Sequence, residues 1–182
     1  MRTRAPRTAI VIGALVVAQL AAMMWYRSVQ RGRDRAGDRD FPRQRLSAGS
    51  RAPELEIRHA NEPARRVPGR QVANTTLLHF WATWCEPCRQ ELPGLLASAR
   101  ALRGRVELVA ISVDGSWGEV ERFFTGAVPG EVYRALDQRY RRYGVELLPT
   151  TYVLGDKGEV RFQIRGARDW SSPAGRSFLG SL

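Results

Sequence analysis

Residues 80–91 read FWATWCEPCRQE and contain both cysteines of the 182-residue chain, Cys85 and Cys88. These residues can form at most one disulfide, and two residues separate them, so its ring would be small. A bridge across so short a loop removes little conformational entropy from the unfolded chain, which makes it a weak structural cross-link. The pair is better suited to redox chemistry, and we take this segment as the candidate active site.

The sequence on either side of the pair predicts a strand followed by a helix. Residues 76–82 (TLLHFWA) are apolar and rich in residues that favour strands. The apolar residues after the pair recur at helical spacing, at Leu92, Leu95, Leu96, Ala99 and Leu102. Cys85 is therefore expected in the first turn of a helix, where free backbone N–H groups and the helix dipole stabilise a thiolate. We predict Cys85 as the nucleophile and the more covered Cys88 as the thiol that resolves a mixed disulfide.

Two other interpretations of the cysteine pair are weaker. A zinc site needs about four ligands, and the chain adds only His59 and His79, neither at zinc-finger spacing. Two inert core cysteines are the second alternative, but a short Cys-x-x-Cys between a strand and a helix is typical of redox motifs. We expect no bound metal and no cofactor.

Two segments resemble signatures of a known family. Residues 81–93 (WATWCEPCRQELP) resemble the active-site segment of the thioredoxin superfamily, in particular of the TlpA/ResA-like thiol-disulfide oxidoreductases anchored in bacterial envelopes. Residues 143–166 (YGVELLPTTYVLGDKGEVRFQIRG) resemble its second signature, in which a cis-proline faces the disulfide. The resemblance covers roughly residues 49–182. It implies an α/β, thioredoxin-like fold with a central mixed sheet flanked by helices.

The resemblance also implies roles for individual residues. Pro149 matches the cis-proline, which would expose the Leu148 backbone to an extended partner segment that pairs by strand addition. Glu91 matches an acidic residue that influences thiol ionisation; without the resemblance, a surface glutamate interacting with the helix dipole explains it equally well. Glu86 and Pro87 are expected to tune the redox potential. The predicted docking residues are Trp84, Glu86, Pro87 and Leu148.

No catalytic role is predicted for Trp81, His79 or His59. Trp81 is expected in the core. His79 lies on the incoming strand, too far from the cysteines in sequence to be assumed a base for them. His59 is expected at a surface or sheet edge without a ligand function, because no second ligand is near it in sequence.

The rest of the domain shows alternating strand and helix patterns. Residues 106–113 form a near-continuous apolar run, which predicts a parallel strand buried on both faces. With the helix expected at residues 117–124, this order predicts a parallel βαβ unit. Further predictions are a half-buried edge strand around Leu55 and Ile57, a first helix ending near Arg103, a strand and helix within 134–143, strands at 151–154 and 160–164, and a closing helix at 172–182.

The basic charge of the chain is concentrated before the predicted domain. The net charge is +11, of which residues 1–50 carry +7. No basic patch interleaved with aromatic residues and no nucleic-acid-binding motif accompanies this excess. We therefore expect a solvated flank and no nucleic-acid partner.

Residues 9–26 predict a membrane anchor. They contain no charged side chain and are just long enough to cross a bilayer as a helix, with Trp25 and Tyr26 at an interfacial position. No Ala-x-Ala cleavage pattern follows, so we expect an uncleaved anchor (1–26), a flexible linker (27–48) and a thioredoxin-like domain (49–182). Arginines flank both ends of the span, so charge does not decide its orientation. The resemblance implies a cell-membrane protein with its domain on the extracytoplasmic, periplasmic side.

The predicted function is thiol-disulfide exchange with cysteine-containing envelope proteins. The resemblance implies reduction of protein disulfides, including the Cys-x-x-Cys-His motif of apocytochromes c, and re-reduction by a membrane thiol relay. A peroxiredoxin-like peroxidase is one alternative, although the proline and threonine pattern of that family is missing upstream of Cys85. A copper-handling module is another, but it would ordinarily want wider cysteine spacing and a histidine downstream, and no histidine follows His79.

Overall fold

The computed structural model describes residues 17–25, 50–69 and 75–182. Residues 17–25 are helical (α1). Among the described residues, no helix is both long enough and apolar enough to cross a membrane. Most of the predicted anchor and the whole of the predicted linker lie outside these residues, so the anchor stays a prediction.

Strands and helices alternate through the described part of the domain, as the apolar patterns predict. In chain order they are β1 (Leu55–Arg58), β2 (Arg65–Val67), β3 (Thr75–Trp81), α2 (Glu86–Ala101), β4 (Val106–Ser112), α3 (Trp117–Phe123), β5 (Val132–Ala135), a 3-10 helix (Gln138–Tyr143), β6 (Thr150–Gly155), β7 (Val160–Arg165) and α4 (Pro173–Gly180). These strands form one sheet in the order β2-β1-β5-β4-β3-β6-β7. Strands β3, β4 and β5 run parallel and the other pairs are antiparallel, which confirms the predicted mixed sheet.

Strand β3 is central to the sheet and every residue in it is buried. Side chains alternate between the two faces of a strand. Leu77 and Trp81 pack in one apolar cluster with residues of α2, α3 and α4. Leu78 and Phe80 pack in a second cluster on the other face. Helix α2 turns Leu92 and its other apolar residues towards the sheet, so the end of β3 and the start of α2 are held together at Cys85.

The amino-terminal part of the domain differs from the prediction. Strand β1 pairs with both β2 and β5, so it is not an edge strand. The edge strand on this side of the sheet is β2, whose sequence Arg-Arg-Val has no apolar alternation and which pairs with β1 along its whole length. The helix predicted within residues 134–143 is a 3-10 helix that ends at Gly144, where φ is +65°.

Candidate active site at the Cys85–Cys88 disulfide

The two cysteines are joined in a disulfide at the start of α2, with an Sγ–Sγ distance of 2.05 Å. Cys85 caps the helix, and its Sγ accepts a hydrogen bond from the Cys88 backbone N–H at 3.3 Å. Cys85 is 7% exposed, whereas Cys88 is fully buried. The predicted placement of the pair at the start of a helix is therefore confirmed, and Cys85 is the more accessible of the two cysteines.

A buried carboxylate fixes the loop that leads into the pair. Asp114, just after β4, accepts hydrogen bonds from the Thr83 backbone N–H at 3.0 Å and the Thr83 hydroxyl at 2.8 Å. The Ser112 hydroxyl donates to the same carboxylate at 2.6 Å. Thr83 directly precedes Trp84, so this network holds the backbone that presents the active site. The sequence analysis assigned no role to Asp114.

We expect Asp114→Asn to lower the free energy of unfolding by about 1–2 kcal/mol, because hydrogen bonds to a charged acceptor become weaker neutral ones. The residues before Cys85 should also become less ordered. Urea unfolding of the oxidised protein measures the first effect, and amide hydrogen exchange at residues 83–85 measures the second. Asp156→Asn, in an exposed turn, is the matched control. Equal unfolding midpoints for Asp114→Asn and wild type would contradict the assigned role.

The predicted docking residues lie at or near the surface around Cys85. Trp84 is 69% exposed, so its large aromatic ring is available for contact with a partner. Glu86 and Pro87 are exposed on the first turn of α2, and the Gln90 side-chain amide donates to Glu86 at 3.1 Å. Leu148 is partly buried and packs against the apolar cluster that contains both cysteines. Trp84, which directly precedes Cys85 in the chain, is therefore the most exposed apolar residue among them.

The residue matched with the cis-proline lies at the same end of the sheet. The Leu148–Pro149 peptide bond is cis, as the resemblance implies, and Pro149 is buried. Its carbonyl accepts a hydrogen bond from the Gly166 backbone N–H at 2.8 Å. Strand β6 begins at the next residue, Thr150, which pairs with Phe80 near the end of β3. Pro149 therefore comes just before β6 at the end of the sheet where β3 leads into Cys85.

Glu91 is buried on the inner face of α2, one helical turn after Cys88. Its Oε2 accepts a hydrogen bond from the Arg168 backbone N–H at 2.5 Å. Burial raises the pKa of Glu91 to about 7, although the hydrogen bonds from Arg168 and the Trp170 side chain and the charge of Arg168 act in the opposite direction. The alternative of a surface glutamate is wrong. A carboxyl group with this pKa can take up or release a proton near neutral pH.

His79 is the residue near the site that sequence reasoning left without a role. It is fully buried, its Nδ1 lies 2.9 Å from Thr151 Oγ1, and its Nε2 lies 3.3 Å from Glu91 Oε1. Burial lowers the pKa of His79 to about 3, so the imidazole is neutral near pH 7. The available signal was strand alternation, because His79 falls between Leu77 and Trp81 on the helix-covered face of β3.

The other histidine lies with different elements. The His59 ring packs edge-on against Trp117 at 5.2 Å and Tyr133 at 5.9 Å, and its Nδ1 lies 2.7 Å from the Val132 carbonyl oxygen. Among residues 17–25, 50–69 and 75–182, no three His, Cys, Asp or Glu side chains are grouped to hold a metal ion.

Comparisons with known proteins agree with this geometry. A family model described as Thioredoxin-like matches residues 73–160. The chain is 32% identical over 126 residues to the thiol-disulfide oxidoreductase ResA of Geobacillus thermodenitrificans, covering 66% of this chain and 71% of that protein. The chain belongs to the ResA-like family of thiol-disulfide oxidoreductases.

Two further relatives of this ResA-like protein extend the comparison. ResA of Oceanobacillus iheyensis is 30% identical over 133 residues, which is 65% of each chain, so the alignment spans slightly less than two thirds of that relative. A crystal structure described as the thiol:disulfide interchange protein DsbE of Chlorobium tepidum aligns with a TM-score of 0.58 and 29% identity, over 75% of this chain and 94% of that one.

Proposed function

We propose that this ResA-like protein reduces disulfide bonds of other proteins by dithiol/disulfide exchange through Cys85 and Cys88. The observation that carries the proposal is the unequal burial of the two cysteine residues, since Cys85 is 7% exposed and Cys88 is fully buried. A partner disulfide meets Cys85 first, and Cys88 acts only inside the protein on a mixed disulfide already formed. The exposed indole of Trp84 supplies an apolar contact beside the attacked bond.

The exchange proceeds in two displacements. The Cys85 thiolate attacks one sulfur of the partner disulfide, which forms a mixed disulfide and releases the other partner sulfur as a thiolate. Cys88 then loses its proton and attacks the Cys85 sulfur, which forms the intramolecular disulfide and releases the second partner sulfur. Two electrons pass to the partner, whose thiolates take up two protons.

The direction and the partner rest on the family resemblance. Anchored members with a Cys-Glu-Pro-Cys motif usually keep selected thiols reduced, and the Cys-x-x-Cys-His motif of apocytochromes c is the substrate we propose. The chain has no third cysteine, so its disulfide must be reduced again by another protein. A membrane thiol relay at the outer face fits that requirement.

Trapping tests the proposed exchange. We expect Cys88→Ser to hold its substrates as mixed disulfides at Cys85, because the resolving thiol is gone. The complexes should be released by dithiothreitol and identified by mass spectrometry after acid quenching of cells. Cys85→Ser is the matched control and should trap nothing. If both variants gave the same protein pattern, exchange through Cys85 would be wrong, and peroxide consumption by the wild type would then favour the peroxidase alternative.

We also propose that residues 9–26 anchor the protein in the cell membrane, with residues 49–182 on the extracytoplasmic side. The uncharged composition of that segment and its aromatic end support the proposal. A membrane-impermeant maleimide applied to intact cells or spheroplasts should label Cys85 after mild reduction, and carbonate washing should leave the protein in the membrane fraction. Labelling only after lysis would place the domain on the cytoplasmic side, and release by carbonate would exclude the anchor.

A further inference from the structure

Three buried polar side chains form a row beneath the active site, which we call the polar row: Thr151 on β6, His79 on β3 and Glu91 on α2. They are 2%, 0% and 7% exposed. Thr151 pairs directly with His79 across the two strands, and its Oγ1 lies 2.9 Å from His79 Nδ1. At the other end of the ring, Nε2 lies 3.3 Å from Glu91 Oε1. The imidazole therefore connects the carboxylate to the sheet.

Nε2 and Oε1 face each other in this arrangement, and the Trp170 side chain is a second hydrogen-bond donor to the Glu91 carboxyl group. In the described part of the chain, neither atom makes a hydrogen bond of regular geometry, and both are buried. Burying such polar atoms without a partner is unfavourable, whereas a small rotation of either side chain would join these two. Glu91 Oε2, by contrast, already accepts the Arg168 backbone N–H.

The Thr151 hydroxyl decides which nitrogen of the ring carries the proton. Thr151 is buried, and the contact to His79 Nδ1 is the hydrogen bond its hydroxyl makes among the described residues. If Nδ1 carried the proton, the hydroxyl hydrogen would be left without that acceptor. The favoured arrangement therefore has the hydroxyl donating to Nδ1 and the ring proton on Nε2, next to the Glu91 carboxylate.

We propose that His79 is a positioning residue that directs its Nε2–H at Glu91 and so holds the carboxylate in its proton-accepting form during exchange. The proposal rests on the exchange function proposed above. When Cys88 attacks the mixed disulfide, its sulfur gives its electron pair to the new S–S bond and its proton must leave. Cys88 is fully buried, so Glu91, one helical turn along, takes that proton.

Glu91 is also connected to solvent. It lines a cleft of about 320 Å³ together with Pro87, Gln90, Gly94 and residues 167–171. The proton accepted from Cys88 can therefore leave through the cleft. The charged groups on this side are Arg168, whose charge favours the carboxylate, and Asp169, which is engaged with Ser171 and Ser172. Within the polar row, the two groups that face the His79 imidazole are the neutral Thr151 hydroxyl and the Glu91 carboxyl group.

The tautomer is testable without a variant. In the folded wild type, nitrogen-15 NMR of His79 should show a neutral ring protonated at Nε2 from pH 5 to 8. A ring protonated at Nδ1 would overturn the proposal, because Nε2 would then have no proton to direct at Glu91. This measurement does not require exchange activity, so it fails or succeeds independently of the proposed function.

Two substitutions of His79 test its contacts with Thr151 and with Glu91 separately. In His79→Asn the amide takes the place of the near nitrogen and keeps the Thr151 contact, whereas in His79→Gln it reaches towards the far nitrogen and Glu91. His79→Asn should raise the titration midpoint of Glu91, followed by carboxyl carbon NMR, by about one pH unit. Exchange with a peptide disulfide should then slow about ten-fold below that midpoint. His79→Gln should restore at least half of the shift.

Control variants show whether His79 acts by orienting the Glu91 carboxyl group or only by filling space in the core. In a Glu91→Gln background, His79→Asn should leave the pH profile of exchange unchanged, and His59→Asn should leave both midpoint and profile unchanged in either background. If His79→Asn does not fold, Thr151→Val replaces it and should give a smaller shift of the Glu91 midpoint in the same direction. Equal midpoints in wild type, His79→Asn and His79→Gln, or a shift of the profile that persists in Glu91→Gln, would overturn the proposal.

Discussion

Replacing Cys85 by serine should abolish thiol-disulfide exchange, whereas replacing Cys88 should stop it halfway. Cys85 is the more accessible cysteine and Cys88 is fully buried, so the reagent should react first at Cys85. With Ellman's reagent, the reduced wild type should release about two equivalents of thiolate and end as the intramolecular disulfide. Cys88→Ser should release about one equivalent and retain the other half of the reagent on Cys85. Cys85→Ser should release almost none.

The measurement is a stopped-flow count of released thiolate, with the retained adduct confirmed by mass spectrometry. The control is Cys85→Ser unfolded in guanidinium, where Cys88 should react fully because it is no longer buried. A folded Cys85→Ser variant that reacted as fast as wild type would show that Cys88 is the attacking residue. The order of the two displacements would then be reversed.

The parts of the fold that the sequence predicts are those set by local patterns. The apolar run of β4 and the helical spacing of α2 are each visible within a few residues. Strand β2 is different, because two of its three residues are arginines and its pairing with β1 supplies the strand geometry. The interior position of β1 likewise depends on β5, far away in the sequence.

The candidate site divides in the same way. Cys85, Cys88 and the proline before β6 are recognisable from their immediate neighbours. Asp114 could have been suspected, because the carboxyl ends of adjacent parallel strands meet at one edge of a sheet. The contact of His79 with Glu91 needs two facts at once: strand alternation places His79 towards α2, and the docking of α2 places Glu91 over it. Only the first of these is local.

The second large effect expected is on the pH dependence of stability, where Glu91 and His79 should act in opposite directions. The pKa of Glu91 rises from 4.5 to about 7 on folding, so between these values the folded state binds more protons and stability falls as pH rises. The pKa of His79 falls from 6.5 to about 3, so the unfolded state binds more protons and stability rises with pH. Between pH 4.5 and 6.5 the two effects should nearly cancel in wild type.

In Glu91→Gln only the effect of His79 on the pH dependence of stability should remain, and in His79→Gln only the effect of Glu91. Across the shared window, each unit of pH changes the free energy of unfolding by about 1.4 kcal/mol per group. Glu91→Gln should gain about 2–3 kcal/mol, relative to wild type, as pH rises from 4.5 to 6.5. His79→Gln should lose a similar amount over the same interval.

Urea unfolding of the oxidised protein at half-unit steps of pH measures these slopes, and His59→Gln is the control for a histidine outside the polar row. Exposed carboxylates contribute equally to wild type and variants, so they cancel in the difference. Parallel curves for wild type and Glu91→Gln would show that burial does not raise the Glu91 pKa. If the free energy of unfolding, relative to wild type, changed with pH in the same direction in both variants, the His79 ring would be charged in the folded protein. The contact with Glu91 would then join a carboxylate to a buried cation and not to a neutral ring.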